Sequence, residues 1–230
     1  MNNFDVYSVP FVAEAVLAKK WAFASDYIRA YALYTEGGVY FDTDVMIRGK
    51  IDFVLSNRAF SAIESYPHLV EKIKKEQLID EWGNRRNPDM RIHGIQIQAA
   101  ILGAEKGHPF FRDCLQYYEK VHFESNDEGI PAETAISPIV FAGIAEKYGF
   151  KYIDKEQSLD EGFKLYSSDL FCPQPYLMKS EKAVAVHCCN ASWRITETPL
   201  GHLINNAKVR LKVLLRRIGF LKNDPIERVK

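Results

Sequence analysis

The sequence predicts an α/β domain built around a mixed sheet. Segments rich in β-branched and aromatic residues alternate with helical ones, the pattern of strands covered by helices. The 230 residues suffice for one domain of ordinary size. Apolar residues make up 47% of the chain and charged residues 26%, which is globular usage. No internal repeat and no low-complexity linker divides it.

The elements follow in order. "PFVAEAVLAKKWAFASDYIRAYALYTE" predicts two helical segments, with Pro10 suited to a first helical turn. Gly37 and Gly38 then stop the second helix, because a glycine supplies the left-handed residue that closes a helical ladder. "VYFDTDVMI" (39–47) and "AFSAIES" (59–65) predict strands. Residues 66–91 are polar and predict a surface helix and loop, with turn residues from Asn84 to Asp89. "IHGIQIQAAILG" (92–103) is apolar and fits either a strand or a helix. "HPFFRDCLQYYEKV" and "AETAISPIVFAGIAEKYG" predict helices, the second kinked or interrupted at Pro138. "KYIDKE", "FKLYSSDLFCP" and "KAVAVHCC" predict short strands.

Composition excludes several classes. Lys+Arg and Asp+Glu both total 30, so no net charge points to nucleic acid. No apolar run reaches the length of a membrane span, and "MNNFDVYSVP" lacks the basic start and apolar run of a signal peptide. Cys114, Cys172, Cys188 and Cys189 form no C-x-x-C pair, which predicts reduced thiols in a cytoplasmic protein. "HCC" (187–189) has no spaced partner cluster, so buried thiols explain it better than zinc. The domain is expected over 1–199, with a basic amphipathic helix and tail over 200–230. That tail carries Lys208, Arg210, Lys212, Arg216, Arg217 and Lys222, and Leu203, Ala207, Leu211, Leu214 and Ile218 share one helical face. Two readings stay open: a helix lying on an anionic membrane surface, peripheral to its inner face, or one docked on the domain.

Asp42 and Asp44 are the chemical focus. Side chains alternate along a strand, so Tyr40, Asp42 and Asp44 are expected on one face, with Val39, Phe41 and Val45 turned into a core. Two carboxylates where a strand runs out suit a hard divalent cation, Mn²⁺ or Mg²⁺, with positions left open for phosphates. A cation also removes the repulsion that would otherwise keep one acid protonated. An acidic strand end facing water explains the same pair. So does the D-x-D-x-[TV] of haloacid-dehalogenase-type phosphatases, although their later lysine and paired acidic motif have no counterpart here. Asp26 and Arg29 lie three apart on the preceding helix and share a face, where a local ion pair is the plainer account.

The whole string "FASDYIRAYALYTEGGVYFDTDV" resembles S-D-x-x-R followed by L-Y-x-x-G-G-x-Y-x-D-x-D. This is the pattern of the glycosyltransferases with a DXD sugar-binding region: the Och1-like mannosyltransferases, the bacterial capsular polysaccharide synthesis transferases and, more distantly, the clostridial glucosylating toxins. "ILGAEKGHPFF" (101–111), "FKLYSSDLFCP" and "VHCCNASW" (186–193) are similar to later motifs of that family, in the right order.

The resemblance implies a GT-A-like nucleotide-diphospho-sugar transferase fold, with a mixed, mostly parallel sheet flanked by helices. It implies a metal-dependent retaining transfer of a hexose from a nucleotide-sugar, UDP-hexose favoured, to a saccharide or lipid-linked saccharide in polysaccharide biosynthesis. Asp44 would bind the metal. Asp42 would assist it and hold ribose and sugar hydroxyls. Tyr40 would sit near the ribose, Asp26 and Arg29 would hold the donor hexose, and His187 would be a further metal ligand. Ser192 and Trp193 would close over the diphosphate. Front-face attack, with the leaving phosphate taking the proton, needs no general base. The family pattern opens with a strand of the type P-K-x-I-H-x-x-W, whereas this sequence starts inside the pattern at "MNNFDV", so the sheet is expected to lack its usual first strand. Cys188 and Asn190 also stand where a His and an acid are frequent. A remnant acting as a binding or partner module therefore remains an alternative expectation.

Overall fold

The computed structural model describes residues 4–123, 136–172 and 183–188. Helix α1 (Pro10–Leu17) starts on Pro10, whose missing N–H and fixed φ suit a first turn. Helix α2 (Trp21–Thr35) ends against Gly37, which takes a left-handed φ of 72° and donates to the Leu33 carbonyl at 3.0 Å. A side chain at Gly37 would also meet the Lys106 backbone nitrogen at 2.7 Å.

The 39–47 stretch is not one strand. It forms β1 (Gly38–Phe41) and β2 (Val45–Ile47), separated by a turn at Asp42–Asp44 in which Val45 N–H donates to the Asp42 carbonyl at 3.0 Å. The two strands enter different sheets. Phe41 and Val45 do pack into a core, but Val39, expected there too, is 37% exposed.

The remaining elements are β3 (Ala59–Ser65), α3 (Pro67–Lys75), β4 (Ile95–Ile97), β5 (Ile101–Ala104), α4 (Pro109–Tyr118), α5 (Ser137–Ala145), β6 (Gln157–Ser158), β7 (Phe163–Tyr166), β8 (Phe171–Cys172) and β9 (Ala185–His187). The ambiguous 92–103 segment is therefore strand. Pro138 does not kink α5 but sits in its first turn, where proline is tolerated. "KYIDKE" is not a strand either; the ladder begins one residue later, at Gln157, and Lys151 and Gln157 instead bond each other across the intervening bend.

Six strands form one mixed sheet in the order β1-β5-β3-β7-β6, with β4 also on β3; β2, β9 and β8 form a small second sheet. The expected mostly parallel pairing is corrected. Among the described strands only β3–β7 and β8–β9 pair parallel, and the other ladders are antiparallel. A parallel pair needs a long crossover, and the chain between β3 and β7, which includes α3, β4, β5, α4 and α5, supplies it.

Helices α1, α2, α4 and α5 cover one face, over a core that includes Phe11, Tyr27, Ile63, Ile97, Phe110 and Phe141. The other face carries a smaller cluster of Phe60, Ala62, Ile101, Tyr166, Phe171 and Ala185, against the small sheet. "GHPFF" proves structural. Gly107 is left-handed, His108 Nδ1 accepts from Phe110 N–H as an N-cap, Pro109 opens α4, and both phenylalanines are fully buried. Cys114 is a buried thiol outside any disulfide, but Cys188 of "HCC", expected to be buried, is only half-buried, and Cys189 lies outside the described residues. No helix among the described residues is long and apolar enough to cross a membrane. The basic 200–230 tail lies outside the described residues.

Candidate functional site

The site begins with an irregularity in the main sheet. Strand β3 pairs Phe60 with Gly103 and then Ile63 with Ile97. Over that interval β3 advances from 60 to 63 while its partner runs from 103 back to 97, so Gln98–Ala100 form a bulge. Bulges bend a strand and re-aim its groups. Here the Ala99 carbonyl accepts from Arg29 Nη1 at 2.6 Å, while the Ala100 carbonyl continues the β1–β5 register and accepts from Asp42 N–H at 2.9 Å.

Arg29 joins these parts. Its guanidinium donates to the Ser25 carbonyl and hydroxyl and pairs with Asp26 at 3.0 Å and Asp42 at 3.4 Å. The Tyr40 ring lies 4.8 Å from its central carbon, and the Tyr40 hydroxyl donates to Asp42 Oδ1 at 2.6 Å. A fixed fork of donors suits such a node better than an ammonium. Asp26 and Arg29 are both 6% exposed, so the pair is no solvated surface bridge. Burial pushes the Asp26 carboxyl up to about 7, with Arg29 and the Ser137 hydroxyl opposing it. Burial works against the Arg29 charge, but Asp26 and then Asp42 outweigh it and hold the guanidinium above its usual range. The Tyr40 phenol is likewise pushed up, first by burial and then by Asp42 and Asp26 against Arg29.

The small sheet supplies the third part. Strands β2 and β9 pair antiparallel with Val45 opposite His187, and Cys188 N–H donates to the Asp44 carbonyl at 3.0 Å. His187 Nε2 thereby comes 3.2 Å from Asp44 Oδ1 and 3.9 Å from Asp42 Oδ2. Ligand atoms of Asp42, Asp44 and His187 lie within 4.8 Å of one another, and all three residues are half-buried. Two carboxylates and an imidazole fit a divalent cation that keeps other positions for oxygen ligands.

The arrangement thus brings together Asp26, Arg29, Tyr40, Asp42, Asp44 and His187. Asp42 and Asp44 do so across a turn and not on one strand face. Ser192 and Trp193 lie outside the described residues. Reading the sequence missed the carbonyls of Ala99 and Ala100, and it missed Glu64 and Gln96, two buried polar groups of the main sheet. The polar residues at every second position of the otherwise apolar "GIQIQAA" were the available signal.

Residues 3–61 match the family model described as the glycosyltransferase sugar-binding region containing the DXD motif. That segment contains Asp26, Arg29, Tyr40, Asp42 and Asp44, and gives this region its place among the glycosyltransferases; the later motif resemblances lie beyond it. No curated protein and no solved structure matches the chain.

Proposed function

We propose that the chain is a metal-dependent, retaining hexosyltransferase that takes a nucleotide-sugar, a UDP-hexose foremost, and passes the hexose to a saccharide or lipid-linked saccharide hydroxyl in polysaccharide synthesis. One observation carries the proposal: Asp42, within the family's sugar-binding region, meets a buried Arg29–Asp26 pair on one side and the Asp44–His187 cluster on the other.

Asp42, Asp44 and His187 would hold Mn²⁺ or Mg²⁺, which when bound would neutralise a diphosphate leaving group. Arg29 and Asp26 would hold donor-sugar hydroxyls, as a donor fork beside an acceptor. Tyr40 holds Asp42 in place by its hydroxyl and would sit near the ribose. Ser192 and Trp193 are proposed to close over the diphosphate. With front-face attack the acceptor hydroxyl forms its bond to the anomeric carbon as the bond to phosphate breaks, and the proton goes to the leaving phosphate. No side chain acts as general base in this scheme.

The test is a thermal shift with UDP or GDP in the presence of Mn²⁺, on the native chain and on Asp44→Ala. A nucleotide- and metal-dependent rise that Asp44→Ala abolishes is expected. No shift with any nucleotide refutes the proposal and favours a non-catalytic binding module.

A further inference from the structure

One end of the main sheet is polar on the wrong side for a core. Along β3, alternation puts Phe60, Ala62 and Glu64 on one face. Phe60 and Ala62 belong to the cluster against the small sheet, whereas Ile63 joins the helix-side core. The β4 register sets Gln96 opposite Glu64 and Ile97 opposite Ile63. Gln98 comes next on the Gln96 face and donates from Nε2 to the Phe171 carbonyl of β8 at 3.0 Å. Glu64, Gln96 and Gln98 therefore face the sheet that delivers His187. They are 6%, 7% and 1% exposed.

Burying three polar side chains costs free energy that apolar residues at the same positions would not incur. Their internal bonds cover part of it. Glu64 Oε1 accepts from the Tyr66 hydroxyl, and Oε2 accepts from Gln96 Nε2 at 3.3 Å. Both donors are neutral, so neither cancels the carboxylate charge. Each oxygen also keeps a lone pair beyond the bond it already accepts. Gln98 Oε1 is buried and has no partner among the described residues. Burial pushes the Glu64 carboxyl up, with the bonds from Tyr66 and Gln96 and then His187 opposing it. The wall thus presents spare acceptor oxygens, which suit hydroxyl donors better than a second metal.

Its position separates it from the donor side. Arg29 reaches Asp42 from the helix-covered face, and Glu64 lies on the opposite face, against the small sheet whose strand β9 carries His187. In front-face transfer the acceptor and the leaving diphosphate approach the same side of the hexose, and the His187 side is the diphosphate side. We propose that Glu64, held by Tyr66 and Gln96, receives a hydroxyl of the incoming saccharide and so helps to select the acceptor. This rests on the hexosyltransferase reading above.

The experiment measures saccharide binding by saturation-transfer NMR, with UDP and Mg²⁺ present. The probes are the methyl α- and β-pyranosides of glucose, galactose and mannose, and UDP affinity is measured in parallel by calorimetry. Glu64→Gln is expected to weaken the bound saccharide by about ten- to a hundredfold, the size of a lost hydrogen bond to a charged group, while UDP affinity moves less than about twofold. Gln96→Ala, which loosens Glu64 without removing it, is expected to act in the same direction and stands in if Glu64→Gln fails to fold. Unchanged saccharide affinity, a parallel fall of both ligands, or no saccharide signal from native protein that binds UDP overturns the assignment. If native protein binds no nucleotide, the hexosyltransferase reading fails. Saccharide signals that persist there and vanish in Glu64→Gln would still place the Glu64 site.

Discussion

Arg29→Ala is the perturbation that bears hardest on the buried ion-pair network around Asp26 and Asp42. It removes the bonds to Ala99 and Ser25 and leaves Asp26, 6% exposed, without its charge partner. Breaking a buried pair from one side costs about 3–5 kcal/mol, a large share of the ~5–15 kcal/mol that holds a domain together. For a chain of this size that is a fall in Tm of about 6–20 °C. The loss also carries a sign in pH. Asp26 titrates near 3.8 when unperturbed and at about 7 in the fold. Between those values the native state holds a proton that the unfolded state lacks, so stability falls as pH rises, by about 1.4 kcal/mol per pH unit at most. Above about 7 the native chain has paid that penalty in full. Without Arg29 the Asp26 pKa moves higher still, because the foremost opposing charge is gone, and the variant goes on losing stability. Urea unfolding of both proteins from about pH 6 to about pH 9 therefore gives a gap that is smaller at the acid end and widens above neutrality. Asp26→Asn in the same background should abolish the widening. A gap that stays flat across the range, or one below about 1 kcal/mol throughout, refutes the view of Arg29 as the charge that keeps Asp26 ionisable.

Two further outcomes are expected. Gly103→Ala sets a Cβ 2.0 Å from the Phe60 ring across the β3–β5 ladder, and with Phe60 2% exposed the ring has little room to yield. Overpacking of this kind costs about 1–3 kcal/mol, seen as a lower urea midpoint with an unchanged slope. His187→Ala removes the only nitrogen from the Asp42–Asp44–His187 cluster. Mn²⁺ affinity, followed by calorimetry, is expected to fall by about tenfold or more, since even outer-shell changes cost that much. An unchanged affinity would place the metal elsewhere.

Much of the fold was legible because local chemistry and tertiary demand agree. Pro10 and Gly37 bracket helices whose apolar faces meet the core, and "AFSAIES" is a strand buried along its whole length. Misreadings arose where one pattern serves two structures. Pro138 can break a helix or begin one, and only the helix start at Ser137 decides. "IHGIQIQAAILG" fits neither period because it is two strands joined by a bulge. Strand direction was not legible at all. It depends on which segments meet, and β1 lies beside β5 and not beside any strand its own sequence could name.

The site was half legible for the same reason. Asp26, Arg29, Tyr40, Asp42 and Asp44 occupy one short stretch, and His187 was reached only through a distant motif. The error about Asp42 and Asp44 is the instructive one. On a continuous strand, the Cα atoms of residues two apart are separated by about 6.5–7 Å and their side chains stand side by side. The chain instead ends β1 at Phe41, turns through Asp42–Asp44, and resumes as β2 in another sheet. Each end of the turn is fixed from outside: Asp42 N–H by Ala100 of the bulge, and the Asp44 carbonyl by Cys188 beside His187. The strand break that periodicity could not show thus aligns β2 with the strand bearing the imidazole. A substitution that straightened this turn would draw the two carboxylates away from His187 without touching any of the three.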